Sequence, residues 1–174
     1  PQLPHDARRQ RQMCIRDSKK PTWMQERKKF GGLISWVGIH ALDWIYEVAN
    51  GEIASVTVHQ TRNGNRGFGE IESSAICLFQ LKNGGQASAN IDYLRPENAP
   101  THGDDRLRIV GTDGIIEVRD EQATIQTNSS EKKLLADKPG PSIFQDFLQQ
   151  VETSNEGRIS TRDIFGVTRL CIFA

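Results

Sequence analysis

The chain has 174 residues, with 22 basic and 22 acidic side chains and a formal net charge of zero. With 36% hydrophobic and 25% charged residues, it is too apolar for a disordered tail and too polar for a membrane protein. No apolar run approaches the roughly 20 residues of a membrane-spanning helix. The three cysteines are too scattered for a disulfide framework or a cysteine zinc site. We therefore expect a soluble protein of a reducing compartment, with a cytoplasmic location.

The zero net charge averages two different kinds of sequence. Residues 1–30 carry nine Lys or Arg against three Asp or Glu, whereas the rest of the chain has an acidic excess. Residues 1–18 lack both periodicity and the interleaved aromatics of a single-strand nucleic-acid binder, and they resemble translated sequencing-adapter read-through. We therefore predict a non-native leader over 1–18, a charged connecting segment over 19–30, and no nucleic-acid partner.

From residue 31 onward, the pattern is that of a folded domain. A glycine pair precedes an amphipathic helix predicted over about 36–49, which ends at Asn50-Gly51. Strands with alternating side chains follow, and the turn at Asn83-Gly84-Gly85 joins two of them as a hairpin. The strands are predicted at residues 53–60, 70–82, 86–94, 106–111, 115–119 and 123–127.

Two further helices complete the chain. Ser142 and Ser160 each begin a capping-box pattern that is followed by an apolar stripe. The second helix reaches Ala174 without a stop signal, so we expect it to be truncated. Closely spaced strands with short turns indicate antiparallel pairing. The predicted fold class is α+β: one domain over 31–174, with an antiparallel or mixed open sheet of five or six strands and helices packed on one face.

The candidate catalytic residue is His40, which lies near the start of the first helix, one turn before Asp43. Imidazole exchanges protons near neutral pH, so this residue could serve as a general acid or base. The same two residues also fit the solvated face of an amphipathic helix, and their spacing alone favours that interpretation. Weaker candidates for substrate contact flank a proline-containing loop: Tyr93, Arg95 and His102. The histidines are too scattered for a metal cluster, so no metal site is predicted.

The segment from residue 31 to residue 43 resembles a signature of the Gfo/Idh/MocA oxidoreductases, Gly-Gly-x-x-x-Asp-x-Gly-x-His-x-x-Asp. The residues that match it in order and spacing are Gly31, Gly32, Gly38, His40 and Asp43. Residues 103–118 are similar to the family's late strand pair, and residues 160–163 to the start of its final helix. The resemblance covers about residues 22–174, which correspond to the family's C-terminal domain.

This resemblance implies hydride transfer between NAD or NADP and a carbon of a sugar, polyol or related substrate. His40 would contact the reacting hydroxyl and help to move its proton, and the domain would bind substrate and form oligomers. Trp36 stands where the signature has its first Asp, so it is either a wall against which a substrate ring stacks or a core residue. Asp43 matches the last position of the signature, which is more often structural than catalytic, and it is also a weaker candidate for substrate contact.

The cofactor-binding half of the family does not occur in the sequence. No Gly-x-Gly-x-x-Gly fingerprint opens a helix, no Glu-Lys-Pro motif is present, and the glycine-rich run at 63–69 is interpreted as a hairpin loop. We expect no Rossmann domain and no cofactor-binding residue here, so that NAD or NADP binds mainly to a missing N-terminal domain and the fragment alone is inactive. Two alternatives stay open: a non-catalytic sugar-sensing or regulatory protein on the same scaffold, and a standalone β-sheet interaction module.

One face of the predicted sheet is polar but carries little charge. It is lined by Gln86, Ser88, Asn90, Asp92, Thr124, Gln126 and Asn128. A freely solvated face usually carries more Lys and Glu, whereas the cores of protein interfaces are depleted in charge. We therefore predict a homo-oligomer in which this face packs against a second subunit, sheet on sheet.

Overall fold

The computed structural model describes residues 21–94, 96, 98, 99, 103–119, 122–134 and 142–174. These residues fall into two compact units: unit 1 comprises residues up to 96 together with 159–174, and unit 2 comprises residues 98–158. Every strand pair between described residues is antiparallel. The predicted α+β class is confirmed, but the strands form a three-stranded and a four-stranded sheet rather than one sheet of five or six strands.

Unit 1 combines the three-stranded sheet with helical segments from both ends of the described chain. Its elements are a 3₁₀ turn (Thr22–Gln25), α1 (Arg27–Phe30), a π-helical turn (Ile34–Gly38), α2 (Ile39–Val48), β1 (Ile53–Thr61), β2 (Ser74–Leu81), β3 (Gln86–Asp92) and, after unit 2, α4 (Thr161–Phe173). The strands are ordered β1-β2-β3.

The main core of unit 1 lies between one face of this sheet and the helices. Side chains alternate along a strand, so β2 directs Ala75, Cys77 and Phe79 to the same buried face. Helix α2 contributes Leu42, which is fully buried, and α4 contributes Val167. The amphipathic pattern predicted for the first helix therefore places its apolar stripe in the core.

A smaller cluster (Met24, Phe30 and Ile71) forms beside the main core. Met24 and Phe30 lie in the segment that the sequence presents as a charged connector, yet each is only 5% exposed. The many charged residues of this segment suggest that it is exposed, but its two apolar side chains are enough to pack it against the loop that contains Ile71. The described part of this segment, residues 21–30, is thus an integral part of unit 1.

Unit 2 contains the four-stranded sheet and one helix. Its elements are β4 (Arg106–Gly111), β5 (Gly114–Arg119), β6 (Gln122–Thr127), β7 (Glu131–Leu134) and α3 (Ile143–Thr153), with the strands in chain order. Strand β7 was not predicted, because Glu-Lys-Lys-Leu is short, charged and without alternation. Its backbone nevertheless pairs with β6, with Lys132 opposite Ile125.

The helix termini agree with the sequence where a side chain supplies the cap. Ser142 accepts a hydrogen bond from the Gln145 amide at the start of α3, and Ser160 accepts one from the Asp163 amide at the start of α4. Both capping boxes are complete, so both predicted helix starts are confirmed. No helix within the described ranges has the length and apolar character needed to cross a membrane.

Candidate functional site

His40 lies in the first turn of α2, and it is exposed. Its position follows from the helical period, because Leu42 and Ile45 on the other side of α2 are buried in the main core. Among the described residues, none forms a hydrogen bond with the imidazole. The ring is therefore open to a small molecule that approaches α2, although exposure by itself also fits a solvated helix face.

The helix that carries His40 does not start as a regular α-helix. The π-helical turn Ile34–Gly38 leads into it, whereas the sequence predicted a uniform helix from about residue 36. Gly38 allows close packing at this turn, because a Cβ atom there would lie 2.7 Å from Cδ1 of Ile91, which would have to move. Hydrophobic periodicity cannot detect one wide turn, and such turns are frequent at functional sites.

Trp36 belongs to the smaller cluster by its contacts. Its ring centroid lies 5.3 Å from that of Phe30 and 6.3 Å from that of Trp23, which meets it edge to face. The side chain is half-buried and packs against the cluster. This packing favours the core interpretation of Trp36, and its contact with substrate stays a prediction.

Asp43 follows His40 by one turn and is also exposed. Burial raises the pKa of the Cys171 thiol to about 11, and electrostatic interactions with Cys77 and with the Asp43 carboxylate act in the same direction. The structural role of Asp43 and its contact with substrate both stay predictions.

Tyr93 is half-buried and packs against both the main core and the smaller cluster. It lines a pocket with Asn65, Phe68 and Glu72 that has room for about one water molecule and is too small for a sugar ring. The structure thus brings Tyr93 and Trp36 to the same cluster. The other two candidates from this region, Arg95 and His102, lie outside the described residues.

Sequence reasoning missed a polar network that joins the glycine pair to the β1–β2 loop. The Glu72 carboxylate accepts hydrogen bonds from the Leu33 amide at 3.2 Å and from Nη1 of Arg27 at 3.3 Å. Nη1 of Arg27 also donates to the Gly31 carbonyl at 2.9 Å. Glu70 on the same loop accepts from the Arg27 amide at 2.7 Å. The two glutamates lie 39 to 45 residues from their partners in the chain, so local spacing in the sequence cannot predict these bonds.

The glycine-rich loop between β1 and β2 does not fit a dinucleotide phosphate. Two of its amides are engaged within the loop, since Gly67 donates to Oδ1 of Asn65 and Phe68 donates to the Asn65 carbonyl. The loop leads into a strand rather than a helix, so its interpretation as a hairpin loop is confirmed. Within the described part of the chain, no group of three His, Cys, Asp or Glu side chains could hold a metal ion.

Comparison with protein families identifies the domain. Residues 5–117 match the GFO/IDH/MocA C-terminal domain. The match begins inside the segment predicted to be a leader, and the origin of residues 1–18 stays a prediction. Comparison with curated proteins finds no match.

Solved structures agree with this result. A candidate oxidoreductase from Thermotoga maritima is 39% identical, with a TM-score of 0.86 over 91% of this chain and 48% of its own. An aldose-aldose oxidoreductase from Caulobacter crescentus complexed with glycerol has 20% identity and a TM-score of 0.70, over 90% of this chain and 48% of its own.

An oxidoreductase from Agrobacterium radiobacter in complex with NAD⁺, L-tartaric acid and magnesium has 19% identity and a TM-score of 0.67, over 79% of this chain and 44% of its own. At these two lower identities, the likeness is one of fold. The chain spans about half the length of the solved relatives that it matches. The chain belongs to the Gfo/Idh/MocA oxidoreductase family and contains its C-terminal domain fold.

Proposed function

We propose that this chain is the substrate-binding and oligomerisation domain of an NAD(P)-dependent oxidoreductase that acts on a sugar, a polyol or a related hydroxyl or carbonyl substrate. The observation that carries the proposal is His40, exposed at the start of α2 directly after the glycine pair and the π-helical turn. Two structural relatives support the substrate class, since one is an aldose oxidoreductase and another binds L-tartaric acid, a hydroxy acid.

Hydride transfer is the chemistry that a nicotinamide supplies when it is bound. The described residues provide no cradle for it, so we assign cofactor binding mainly to a separate Rossmann domain of a longer protein. The role that falls to this chain is proton movement. When the substrate carbon is oxidised, the hydroxyl proton passes to His40, and in the reverse direction His40 returns that proton to the carbonyl oxygen.

The test is kinetic and uses the longer protein encoded by the reading frame around this sequence. Absorbance of the reduced nicotinamide is followed with a panel of aldoses and polyols. His40→Ala should lower kcat by roughly 100- to 10,000-fold, as expected for loss of general acid–base catalysis. Glu47→Ala is the control on the same helix, because Glu47 is exposed on α2 two turns after His40 and has no proposed role, and it should retain kcat. A His40→Ala enzyme with unchanged kcat would remove His40 from the mechanism.

One observation favours a second candidate, a sugar sensor or regulatory protein on the same scaffold. Trp36 replaces the first Asp of the signature and packs against Phe30, so the polar group at that position is lost. Sugar binding without turnover, in a longer protein that lacks the Glu-Lys-Pro lysine, would support the sensor. If the longer protein binds neither sugar nor nicotinamide, the standalone interaction module is supported instead.

The oligomer that we propose uses the open face of the three-stranded sheet. Gln86, Ser88, Asn90 and Asp92 are exposed there, as the alternation predicts. The face also has an apolar centre on β2, formed by Ile76 at 46% and Leu78 at 50% exposure.

Polar residues flank this centre on both sides, since Leu78 lies between Thr57 and Ser88, and Ile76 lies between His59 and Asn90. An apolar centre with a polar, weakly charged rim is typical of an interface. The other residues predicted for this face, Thr124, Gln126 and Asn128, lie in the separate sheet of unit 2 and its following turn.

Sedimentation of the longer protein tests the oligomer. We expect an oligomer for the wild type and dissociation for Leu78→Lys, because the lysine would place an unpaired charge at the centre of the interface. Val48→Lys is the control, since Val48 is 51% exposed on α2 and away from the open face. A monomeric wild type would refute this part of the proposal.

A further inference from the structure

The β1–β2 loop caps two helical segments with two carboxylates. Glu70 accepts from the Arg27 amide at the first residue of α1, and Glu72 accepts from the Leu33 amide, directly before the π-helical turn. Amides at the start of a helical segment have no partner within the helix, and an acceptor with negative charge is favourable there. The two caps differ in burial, since Glu70 is exposed whereas Glu72 is only 8% exposed.

The buried carboxylate of Glu72 has a counter-ion in Arg27. A single carboxylate oxygen, Oε2, receives both the Leu33 amide and Nη1 of Arg27. Because Nη1 also donates to the Gly31 carbonyl, one guanidinium nitrogen links the end of α1 to the Glu72 cap. A buried carboxylate is tolerated only when it is paired in this way, so Glu72 depends on Arg27 and on the Leu33 amide. The exposed Glu70, in contrast, forms no hydrogen bond with Glu72 or Leu33.

Gly32 provides the space for this network. Its φ is +97°, and a Cβ atom at this position would overlap Nη1 of Arg27. A side chain here would therefore displace the guanidinium from Glu72 in addition to straining the backbone. The second glycine of the family signature thus has a physical function in this chain: the absence of a side chain leaves space for the Arg27 guanidinium to reach Glu72.

Because a π-helical turn precedes α2, the direction of His40 depends on the geometry of that turn, and the Glu72 network lies directly before it. An α-helix advances about 100° per residue, so the one extra residue of a wide turn rotates everything after it by about that angle. Leu33 at 0% and Ile34 at 4% exposure before or within the turn, and Leu42 at 0% after it, are all buried at once. If the turn relaxed to α-helical geometry, residues on its two sides would change their relative direction, and His40 would change with them.

We propose that Glu72, with Arg27 as its counter-ion, is a positioning residue that holds the π-helical turn and thereby sets the direction of His40. The catalytic consequence of this inference rests on the function proposed above, whereas the structural coupling does not. Glu72 is not a catalytic residue in this scheme, since it acts only through the Leu33 amide and the turn that follows.

The first experiment uses the 174-residue chain, labelled with ¹³C and ¹⁵N, and needs neither substrate nor cofactor. Glu72→Ala should change the backbone chemical shifts of residues 34–38 and the ring resonances of His40. Glu70→Ala is the matched control, because Glu70 lies on the same loop and caps a helix that does not carry His40. The control should leave the His40 resonances at their wild-type positions. A purely structural role of Glu72 would lower stability without moving His40 in the folded protein.

If Glu72→Ala does not fold, Glu72→Gln replaces it. The glutamine oxygen still accepts from the Leu33 amide but no longer pairs with the Arg27 charge, so a smaller displacement of the same resonances is expected. The inference is overturned if a folded Glu72 variant retains wild-type shifts at 34–38 and at His40, or if Glu70→Ala moves His40 equally.

Kinetics of the longer enzyme provide the second readout. Glu72→Gln should lower kcat, and combining it with His40→Ala should lower kcat no further than His40→Ala alone, because both changes act on the same step. If His40 is not catalytic, this non-additivity disappears while the NMR displacement persists. The two experiments therefore separate a failure of the positioning role from a failure of the proposed function.

Discussion

Units 1 and 2 use the same local signals but differ in what they bury. Within the described residues, every fully buried hydrophobic side chain belongs to unit 1. The contrast is clearest between the two capped helices. Helix α4 buries Val167 and Cys171, whereas α3 leaves its whole apolar stripe between 42% and 72% exposed. The exposed stripe of α3 consists of Ile143, Phe144, Phe147, Leu148 and Val151.

This difference shows that caps and an amphipathic pattern determine where a helix begins but not how much packing against the core stabilises it. Most helical stability in proteins comes from packing of the apolar face. Unit 1 should therefore provide the cooperative part of the free energy of unfolding, and α3 should contribute little to it. All three tryptophans, Trp23, Trp36 and Trp44, lie in unit 1, so tryptophan fluorescence reports on that unit.

The largest expected effect comes from a cavity in the core of unit 1. Phe79 is 2% exposed, and Phe79→Ala should lower the free energy of unfolding by about 4 kcal/mol. The matched variant in unit 2 is Phe147→Ala, where the ring is 55% exposed and a loss of less than about 1 kcal/mol is expected. Urea unfolding followed by tryptophan fluorescence measures the loss in unit 1, and urea unfolding followed by circular dichroism measures the loss in unit 2. Equal losses would mean that the comparison between the units is wrong.

The second-largest expected effect comes from disrupting the Arg27–Glu72 pair beside the candidate site. Gly32→Ala should lower the free energy of unfolding by about 3 kcal/mol, because it adds backbone strain and displaces Arg27 from a buried carboxylate. Gly84→Ala is the control: Gly84 also has a positive φ, +87°, but a Cβ atom there meets no other atom. Its cost should be the backbone strain alone, about 1 kcal/mol. Similar losses for the two variants would exclude a contribution from Arg27.

The third expected effect is a loss of stability of unit 1 at high pH, which arises from its buried thiols. Burial raises the pKa of Cys77 to about 11 from an ordinary value near 9. The folded state therefore keeps a proton that the unfolded state loses, so stability is intact below pH 9 and falls as the pH rises towards 11. The loss from Cys77 should reach roughly 2 kcal/mol at pH 11.

Comparison of wild type with Cys77→Ala across this range isolates the thiol contribution. The variant starts from a lower stability at pH 8 because a core side chain is trimmed, but its decline with pH should be shallower. Parallel pH profiles for the two proteins would show that the Cys77 thiol does not ionise on unfolding in this range.

Much of the fold could be predicted from the sequence because the signals were local. Alternation placed Cys77 and Phe79 on one face of β2, and the two serine caps marked the starts of α3 and α4. His40 was expected on the polar side of its helix, and it is exposed there. Period, caps and tight turns each depend on residues within about one helical turn of one another.

The remaining features depend on partners that are distant in the chain. The Glu72–Leu33 hydrogen bond joins residues 39 apart. The burial of Met24 and Phe30 likewise requires Ile71 from the β1–β2 loop. Patterns within a short window carry no information about such pairs, so the polar network behind the candidate site became visible only in the folded chain.

The smallest expected effect comes from removing the serine caps of α3 and α4. Ser160→Ala removes the cap of α4, and because Val167 and Cys171 tie that helix to the core, unit 1 should lose about 1 kcal/mol. Ser142→Ala removes the equivalent cap of α3, where no side chain is buried, so the unfolding of unit 1 should be unchanged while circular dichroism shows less helix.

Acid should reduce the difference between Ser160→Ala and wild type. Hydrogen bonds from the Ser160 hydroxyl and backbone hold the pKa of Asp163 below its ordinary value. A lowered pKa in the folded state contributes stability above the ordinary range of aspartate and loses it as the pH falls through the folded value. The Ser160 contribution to unit 1 should therefore shrink below about pH 4. If Ser142→Ala instead destabilised unit 1 as much as Ser160→Ala, burial would not be what distinguishes the two helices.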